Sequence, residues 1–258
     1  MSTIPQKGRG AWPADGRGGT LSADGQKPGR YYTVRTTPGP FVGSTGTLGP
    51  EHTDDYAVMK AVESIRKLLI RARYTVAGKV LAPTGAYDQQ LASAVATYQG
   101  RVGLEADGVF GPKTAQKFYL PTVKAAYAQH GLDWKLGYGL VTTESGWDPG
   151  AVGYVDDHDL GLCQINGPAH PEMDMDERLD PEASLMWQAS QMAYLQIVLG
   201  NLRDAVAAYN LGLGGARQWV KAGRPDSWVP PFDSSGRARD VAGYIDSILT
   251  AADKAGVS

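Results

Sequence analysis

Apolar residues recur at helical spacing through most of the chain from about residue 53 onward, which predicts a mainly α-helical protein. The stripe of the first helix consists of Val58, Val62, Ile65 and Leu69. A second helix carries Leu91, Ala94, Val95 and Tyr98 on one side. The turn sequence Asp107-Gly108 then leads to a third helix that begins near Pro112, a residue suited to the first helical turn. These elements predict a small three-helix domain at 53–120.

A second helical region follows at 121–258. Helices are expected at 122–130, at 134–143, at 181–199, from Asn201 or Asp204, and around Val241 to Leu249. The helix at 181–199 carries apolar residues on nearly all sides, which predicts a central and buried position. We therefore expect an α-rich domain organised around this helix.

Residues 1–52 differ in composition from both regions. They contain 11 Gly and 6 Pro and no helical stripe, so we expect an extended arm. One interpretation is a disordered leader. The other is an arm that docks on a larger assembly through apolar anchors, for which the candidates are Tyr31, Tyr32, Val34, Phe41 and Val42.

Composition excludes several functional classes. The net charge is −2, and the modest Lys/Arg excess before residue 121 lacks the dense basic patch of a nucleic-acid-binding protein. A single cysteine allows no internal disulfide, and the four histidines lack zinc-ligand spacing, so we expect neither a metal nor another cofactor. No apolar run is long enough to insert in a membrane, and the N-terminal sequence lacks the apolar core of a signal peptide.

Glu144 is the strongest candidate for chemistry. Leu136, Leu140 and Val141 lie eight, four and three residues before it, which places its carboxyl on the apolar side of the predicted helix. Gly146 ends this helix, so both partial burial and the helix dipole would raise the pKa of Glu144. A glutamic acid that stays protonated can act as a general acid. The alternative is a helix-terminal Glu that bends out to water.

Three motifs in order, Glu144-Ser145, Gly161-Leu162-Cys163-Gln164-Ile165-Asn166 and Ala208-Tyr209-Asn210, resemble the soluble lytic transglycosylase and goose-type lysozyme superfamily. Those enzymes cut the β-1,4 bond between N-acetylmuramic acid and N-acetylglucosamine in peptidoglycan. The two loop-to-helix units, at 84–99 and 107–114, resemble the three-helix peptidoglycan-binding domain of wall hydrolases. The resemblance implies a binding domain followed by a lysozyme-like catalytic domain, with bacterial peptidoglycan as the partner.

The resemblance also implies roles for individual residues. Glu144 takes the place of the general acid/base. The residues implied to bind substrate are Ser145, Gln164, Asn166, Tyr209, Asn210 and Tyr244. Tyr209 and Tyr244 lie at helical apolar spacing, so ordinary core aromatics are the alternative for both.

Two other chemistries remain open at this stage. Hydrolysis would need a second carboxylate to activate water, for which Asp157 is the best candidate in an acidic loop that could equally be solvated. A cysteine amidase would use Cys163 with His158 or His170, although a lone cysteine is commonly a small buried apolar residue.

The biological setting follows from the same features. Two wall-directed domains without a signal peptide fit a bacteriophage protein, either an endolysin released from the host cytoplasm to the wall or a lysin of the virion tail. The arm at 1–52 favours the virion, where it would contact other phage proteins. The alternative of a different class is a non-catalytic structural or adhesion protein that only binds peptidoglycan.

Overall fold

The structure is a computed structural model that describes residues 50–82, 87–153, 158–230 and 238–255, with side chains from residue 56 onward. The described residues are mainly α-helical, as predicted from the sequence. The helices are α1 (Pro50–Arg71), α2 (Gln89–Arg101), α3 (Pro112–Gln129), α4 (Trp134–Glu144), α5 (Met175–Leu179), α6 (Pro181–Leu199), α7 (Leu202–Lys221) and α8 (Val241–Lys254). The predicted arm and its anchors lie outside the described residues, apart from the three positions that begin α1 at Pro50.

Within the described ranges, three short antiparallel strand pairs connect the helices, and the sequence pattern did not predict them. They are β1 (Thr75–Val76) with β2 (Lys79–Val80), β3 (Asp159–Leu160) with β4 (Ile165–Asn166), and β5 (Ser227–Trp228) with β6 (Arg239–Asp240). Each strand has only two residues, which is too few for an alternation of apolar and polar side chains to be visible in a sequence.

The chain divides into two compact units. The first consists of Met1–Pro121 and Glu144–Ser184, and the second of Thr122–Thr143 and Leu185–Ser258. A compact unit can combine pieces of two sequence domains, so the boundaries at 53–120 and 121–258 stay predictions.

The core of the first unit is built on α1. The four residues of its predicted stripe are all fully buried, as the helical spacing requires. Ala57, on the same helix, packs with Leu160 and Leu179 in one apolar cluster. Because Leu160 belongs to β3, this cluster fixes the β3–β4 hairpin against α1.

Ion pairs and one hydrogen bond along α1 strengthen this attachment. Its polar side chains meet acidic residues at α5 and at the start of α6: Tyr56 and Lys60 with Asp176, Lys67 with Asp180, and Arg71 with Glu182. These groups are mostly exposed, so each pair contributes about 1 kcal/mol or less to stability. Their arrangement determines which face of α1 meets this segment.

The Asp107-Gly108 turn is held from within the first unit. The Gln99 side chain is buried, donates to Asp107 Oδ1 at 2.9 Å and accepts from the Gly108 N–H at 2.9 Å. Gly108 has a φ of +70°, and a Cβ there would lie 2.9 Å from the carbonyl oxygen of Ala92. The hydrogen bonds from Gln99 and the backbone conformation of Gly108 therefore explain why Asp and Gly occur in this turn.

Helix α3 differs from the prediction of two separate helices, because it runs without a break through Pro121. An internal proline removes one backbone hydrogen bond and usually costs about 3 kcal/mol. The apolar residues on both sides offset this loss, since Tyr119, Val123 and Tyr127 are completely buried.

In the second unit, two glycines of α4 allow close packing. A Cβ at Gly137 would lie 2.4 Å from the ring of Tyr127, and one at Gly139 would lie 2.3 Å from the carbonyl oxygen of Ile248 in α8. Real Cβ atoms do not approach other atoms this closely. The glycines therefore set the positions of Tyr127 and α8 against α4.

Helix α6 is not buried on all sides, so that prediction is wrong. One face is buried, but Tyr194 is 50% exposed and Ile197 is 82% exposed. Apolar content alone cannot distinguish a helix surrounded by protein from one whose outer face carries isolated apolar residues, which are common on protein surfaces.

Candidate active site

Glu144 is the last residue of α4, and its side chain is half-buried. The helix thus ends where the sequence pattern predicted, and the carboxyl lies beside the negative end of the helix dipole. The residues that follow are more deeply enclosed: Ser145 is 3% exposed, Trp147 2% and Asp148 6%. Glu144 is therefore a carboxylic acid at the edge of a well-packed segment.

The backbone after Glu144 turns sharply. Gly146 has a φ of +61° and Trp147 a φ of +69°, which is the left-handed region. For a bulky residue this conformation costs about 1–3 kcal/mol, so surrounding contacts must maintain it. Burial of the indole supplies part of that restraint, and Asp148 accepts a hydrogen bond from the Gly150 N–H at 2.9 Å. This turn determines the direction of the chain directly behind Glu144.

The β3–β4 hairpin brings a second strained residue to this unit. Gln164 has a φ of +49°, and its amide nitrogen donates to the carbonyl oxygens of Ala151 at 3.2 Å and Gly161 at 3.1 Å. Gly161 has a φ of +72°, and a Cβ there would meet the Arg178 carbonyl oxygen at 2.3 Å. The amide nitrogen of Gln164 therefore holds the loop together, and the role of Gln164 in substrate binding stays a prediction.

Arg178 fastens the same hairpin to α5. Its Nη1 donates to the carbonyl oxygens of His158 at 2.8 Å and Ile165 at 3.4 Å, at the two ends of the hairpin. Sequence reasoning missed this residue, because an arginine on a short helix gives no sign of a distant backbone partner.

Cys163 lies in the hairpin loop and is completely buried. Burial raises the pKa of its thiol, the hydrogen bond with Ser184 lowers it, and the Glu144 carboxylate raises it again. Glu144 and the hairpin belong to the same compact unit. A buried thiol with a raised pKa stays protonated and is a poor nucleophile, so the structure argues against the cysteine amidase.

Asn166 and Asp159 pair across the hairpin. The Asn166 amide nitrogen donates to Asp159 Oδ1 at 2.9 Å, and its Oδ1 accepts from the Ala169 N–H at 3.0 Å. Both polar ends of Asn166 thus hold the hairpin and the loop that follows, and its role in substrate binding stays a prediction. Asp157, the candidate second carboxylate, lies outside the described residues.

The other predicted site residues lie in the second unit. Tyr209 is half-buried on α7, where its ring packs edge-on to Trp187 with centroids 6.5 Å apart. The buried side chain of Gln188 donates from Nε2 to the Tyr209 hydroxyl at 3.4 Å. Tyr244 is half-buried in the first turn of α8.

Asn210 follows Tyr209 and precedes a kink in α7. Gly212 has non-helical angles, with φ +69° and ψ +159°, which interrupts the helical hydrogen bonds around it. Arg239 of β6 compensates for the interrupted helical hydrogen bonds. Its Nη1 donates to the carbonyl oxygen of Asn210 at 2.6 Å and lies 3.4 Å from the Asn210 Oδ1. The orientation of Asn210 thus depends on a residue 29 positions away, which sequence reasoning also missed.

Within the described ranges, no group of His, Cys, Asp or Glu side chains could hold a metal ion. No helix in the same part of the chain is long and apolar enough to cross a membrane.

Two spans of the chain match known protein families. Residues 121–226 match the family described as "Transglycosylase SLT domain", and residues 59–118 match the family described as "Putative peptidoglycan binding domain". The first span contains Glu144, the β3–β4 hairpin and Tyr209-Asn210.

Individual relatives agree with the first match. The membrane-bound lytic murein transglycosylase F of Serratia proteamaculans (strain 568) is 32% identical over 127 residues, and that of Yersinia enterocolitica is 31% identical over the same length. The protein of the same name from Yersinia pestis is 32% identical. The matched part is 43% of this chain and only 25% of each of these relatives. The chain therefore contains a peptidoglycan-binding domain followed by a transglycosylase SLT domain, and it is homologous to lytic murein transglycosylases.

Proposed function

We propose that this protein is a lytic transglycosylase that cleaves the β-1,4 bond between N-acetylmuramic acid and N-acetylglucosamine, with Glu144 as the general acid and base. The observation that carries the proposal is the position of Glu144 within the transglycosylase match, half-buried at the end of α4 and in the same compact unit as the β3–β4 hairpin. The domain at 59–118 would hold the enzyme on its polymeric substrate.

The reaction needs one carboxyl group to act twice. Protonated Glu144 donates its proton to the glycosidic oxygen, the C1–O bond breaks, and N-acetylglucosamine leaves as the alcohol. The Glu144 carboxylate then accepts the proton of the muramic acid 6-hydroxyl, whose oxygen bonds to C1. The product is a 1,6-anhydro sugar, no water is consumed, and Glu144 is again protonated.

Two described carboxylates of the first unit have structural roles, so the proposal gives neither of them a catalytic one. An inverting or retaining hydrolase uses a second carboxylate across the sugar ring. Asp148 accepts the Gly150 N–H, and Asp159 accepts from Asn166, so both hold loop structure. Asp157 remains the proposed base of the hydrolytic alternative.

The proposal is tested with Glu144→Gln, which keeps the size and polarity of the side chain but removes its acidic proton. We expect wild type to clear a suspension of purified peptidoglycan, and the variant to lose activity by at least a factor of about 100, the usual contribution of a general acid. Glu105→Gln, on an exposed loop of the first unit, is the matched control and should retain activity. Full activity of Glu144→Gln would reject the mechanism, and an inactive wild type that still binds peptidoglycan would support a structural or adhesion protein.

We also propose that the protein is a lysin of a bacteriophage virion, anchored to other tail proteins through residues 1–52. The support is compositional: a segment with 11 Gly and 6 Pro precedes two wall-directed domains. Detection of the protein in purified virions, and its loss on deletion of 1–52, is the expected result. Its absence from virions would instead favour an endolysin released from the host cytoplasm.

A further inference from the structure

The cations of the peptidoglycan-binding domain differ in whether they have acidic partners. Each Lys and Arg of α1 has one: Lys60 pairs with Glu63 and Asp176, Arg66 with Asp88, Lys67 with Asp180, and Arg71 with Glu182. Three exposed cations that follow α1 are different, because within the described ranges the structure shows no ion pair for Arg73, Lys79 or Arg101. Positive charge is therefore left uncompensated at these three positions.

The three cations lie on neighbouring elements of the first unit. Arg73 lies two residues after the end of α1, Lys79 belongs to β2, and Arg101 ends α2. Strand β1 pairs with β2 and also contacts α2, which brings these elements together. The segment 72–82 and helix α2 contain no acidic residue. This part of the domain therefore carries positive charge without any acidic residue of its own.

Aromatic packing holds these elements in place. Tyr74 follows Arg73 directly, and its buried ring has a centroid 4.6 Å from the guanidinium carbon of Arg101. The same ring packs edge-on against Tyr98 of α2 with centroids 6.0 Å apart, and Tyr98 packs edge-on against Phe118 of α3 at 5.0 Å. Edge-to-face rings and a cation over an aromatic face both attract each other. The charge of Arg101 is thus held over the residue that follows Arg73.

Arg73 occupies a backbone position that usually belongs to glycine. Its φ is +59°, in the left-handed region. Its N–H donates to the Ile70 carbonyl oxygen at 2.9 Å, and the N–H of Tyr74 donates to that of Leu69 at 2.9 Å, which is the Schellman ending of a helix. Glycine is favoured at the left-handed position of this ending because a Cβ there is strained. An arginine costs stability at this position, so folding requirements do not explain its side chain.

We propose that Arg73, Lys79 and Arg101 form the surface by which the domain at 59–118 holds peptidoglycan, and that they bind the carboxylates of its stem peptides. This inference rests on the proposed function, in which that domain keeps the enzyme on its substrate. Stem peptides carry free carboxylates along the glycan, and a group of unpaired cations is complementary to them in charge. The cations of α1 are already engaged by acidic residues of the chain itself, whereas these three are not.

The test measures cosedimentation of the full chain with purified peptidoglycan, in a Glu144→Gln background that serves as the parent. Lys79→Gln and Arg73→Gly should each weaken binding about threefold, the usual contribution of an exposed charge pair. Arg73→Gly should at the same time keep or raise the melting temperature, so that its weaker binding cannot come from damage to the fold. Lys67→Gln removes the same charge from the paired face of α1, and this matched control should bind as the parent does.

A modified polymer identifies the group that is bound. Chemical amidation of the peptidoglycan carboxylates should weaken binding by the parent about tenfold, the combined effect of two such charge pairs. The double variant Arg73→Gly/Lys79→Gln should bind the amidated polymer as the parent does. Added salt should weaken binding by the parent more than binding by the double variant, because salt screens exposed charges.

The outcomes separate this inference from the proposed function. Unchanged binding by the double variant, an equal loss in Lys67→Gln, or undiminished binding of the amidated polymer would overturn the binding surface. Loss of cleavage in Glu144→Gln would in each of these cases leave the proposed mechanism standing. Conversely, the expected binding losses in a chain whose wild type cleaves no peptidoglycan would support the surface and reject the mechanism.

Discussion

Replacing Arg239 tests how Asn210 is positioned without changing Asn210 itself. Its guanidinium donates to the carbonyl oxygen of Asn210 at 2.6 Å and lies 3.4 Å from the side-chain oxygen. A hydrogen bond from a charged group contributes about 1.5–3 kcal/mol when buried, and Arg239 is only half-buried. We therefore expect Arg239→Met to lower the free energy of unfolding by about 1–2 kcal/mol. At about 2–4 °C per kcal/mol for a chain of this size, the melting temperature should fall by about 2–8 °C.

Binding should weaken together with stability. When the freed carbonyl at the kink moves, the Asn210 amide loses its fixed orientation, so glycan affinity measured in a Glu144→Gln background should fall about tenfold. Arg239→Lys keeps one charged donor and should recover part of both losses. Arg203→Met is the control, because Arg203 lies on the same helix as Asn210 and makes an exposed ion pair with Asp246. A melting temperature and affinity for Arg239→Met that match the Arg203 control would refute this reasoning.

Three further predictions concern stability and reactivity. The Arg224 guanidinium, with two hydrogen bonds of 2.8 Å, holds the pKa of Asp204 below its ordinary value. Asp204→Asn should therefore lose about 1 kcal/mol of stability at neutral pH. Urea titrations should show this difference decreasing as the pH falls below about 4, the ordinary pKa of an unfolded Asp, and disappearing as the pH falls through the lowered folded-state pKa. Gly139→Ala should lower the melting temperature because its Cβ would meet the backbone of α8, whereas Gly100→Ala, with no atom within 4 Å, should not. Cys163→Ala should retain peptidoglycan cleavage, and the native thiol should resist a thiol reagent that reacts once the protein is unfolded.

Local sequence patterns predicted the parts of this fold that depend on local physics. The stripe of α1 and the end of α4 at Glu144 follow from helical periodicity and from glycine after the last turn. The continuity of α3 through Pro121 could not be predicted in this way, because proline is locally unfavourable and the offsetting contacts come from distant residues. The exposed side of α6 was missed for a related reason, since burial depends on neighbours that the helix sequence does not contain.

The candidate site shows the same difference between residues that local sequence patterns identify and residues that they do not. Its candidate residues were identified from motifs. The structure places Glu144 in the same compact unit as Gln164, while Tyr209 lies with Gln188 in the other unit. The residues that hold them, Gln188, Arg178 and Arg239, act over separations of 13 to 29 positions.

Mass spectrometry of the soluble products of peptidoglycan digestion tests the central claim most directly. The proposed mechanism predicts fragments that end in 1,6-anhydro-muramic acid with wild type and none above background with Glu144→Gln. Reducing muramic acid ends from wild type would show that water attacks C1, and undiminished anhydro products from the variant would show that another group supplies the proton. Either result would contradict the account.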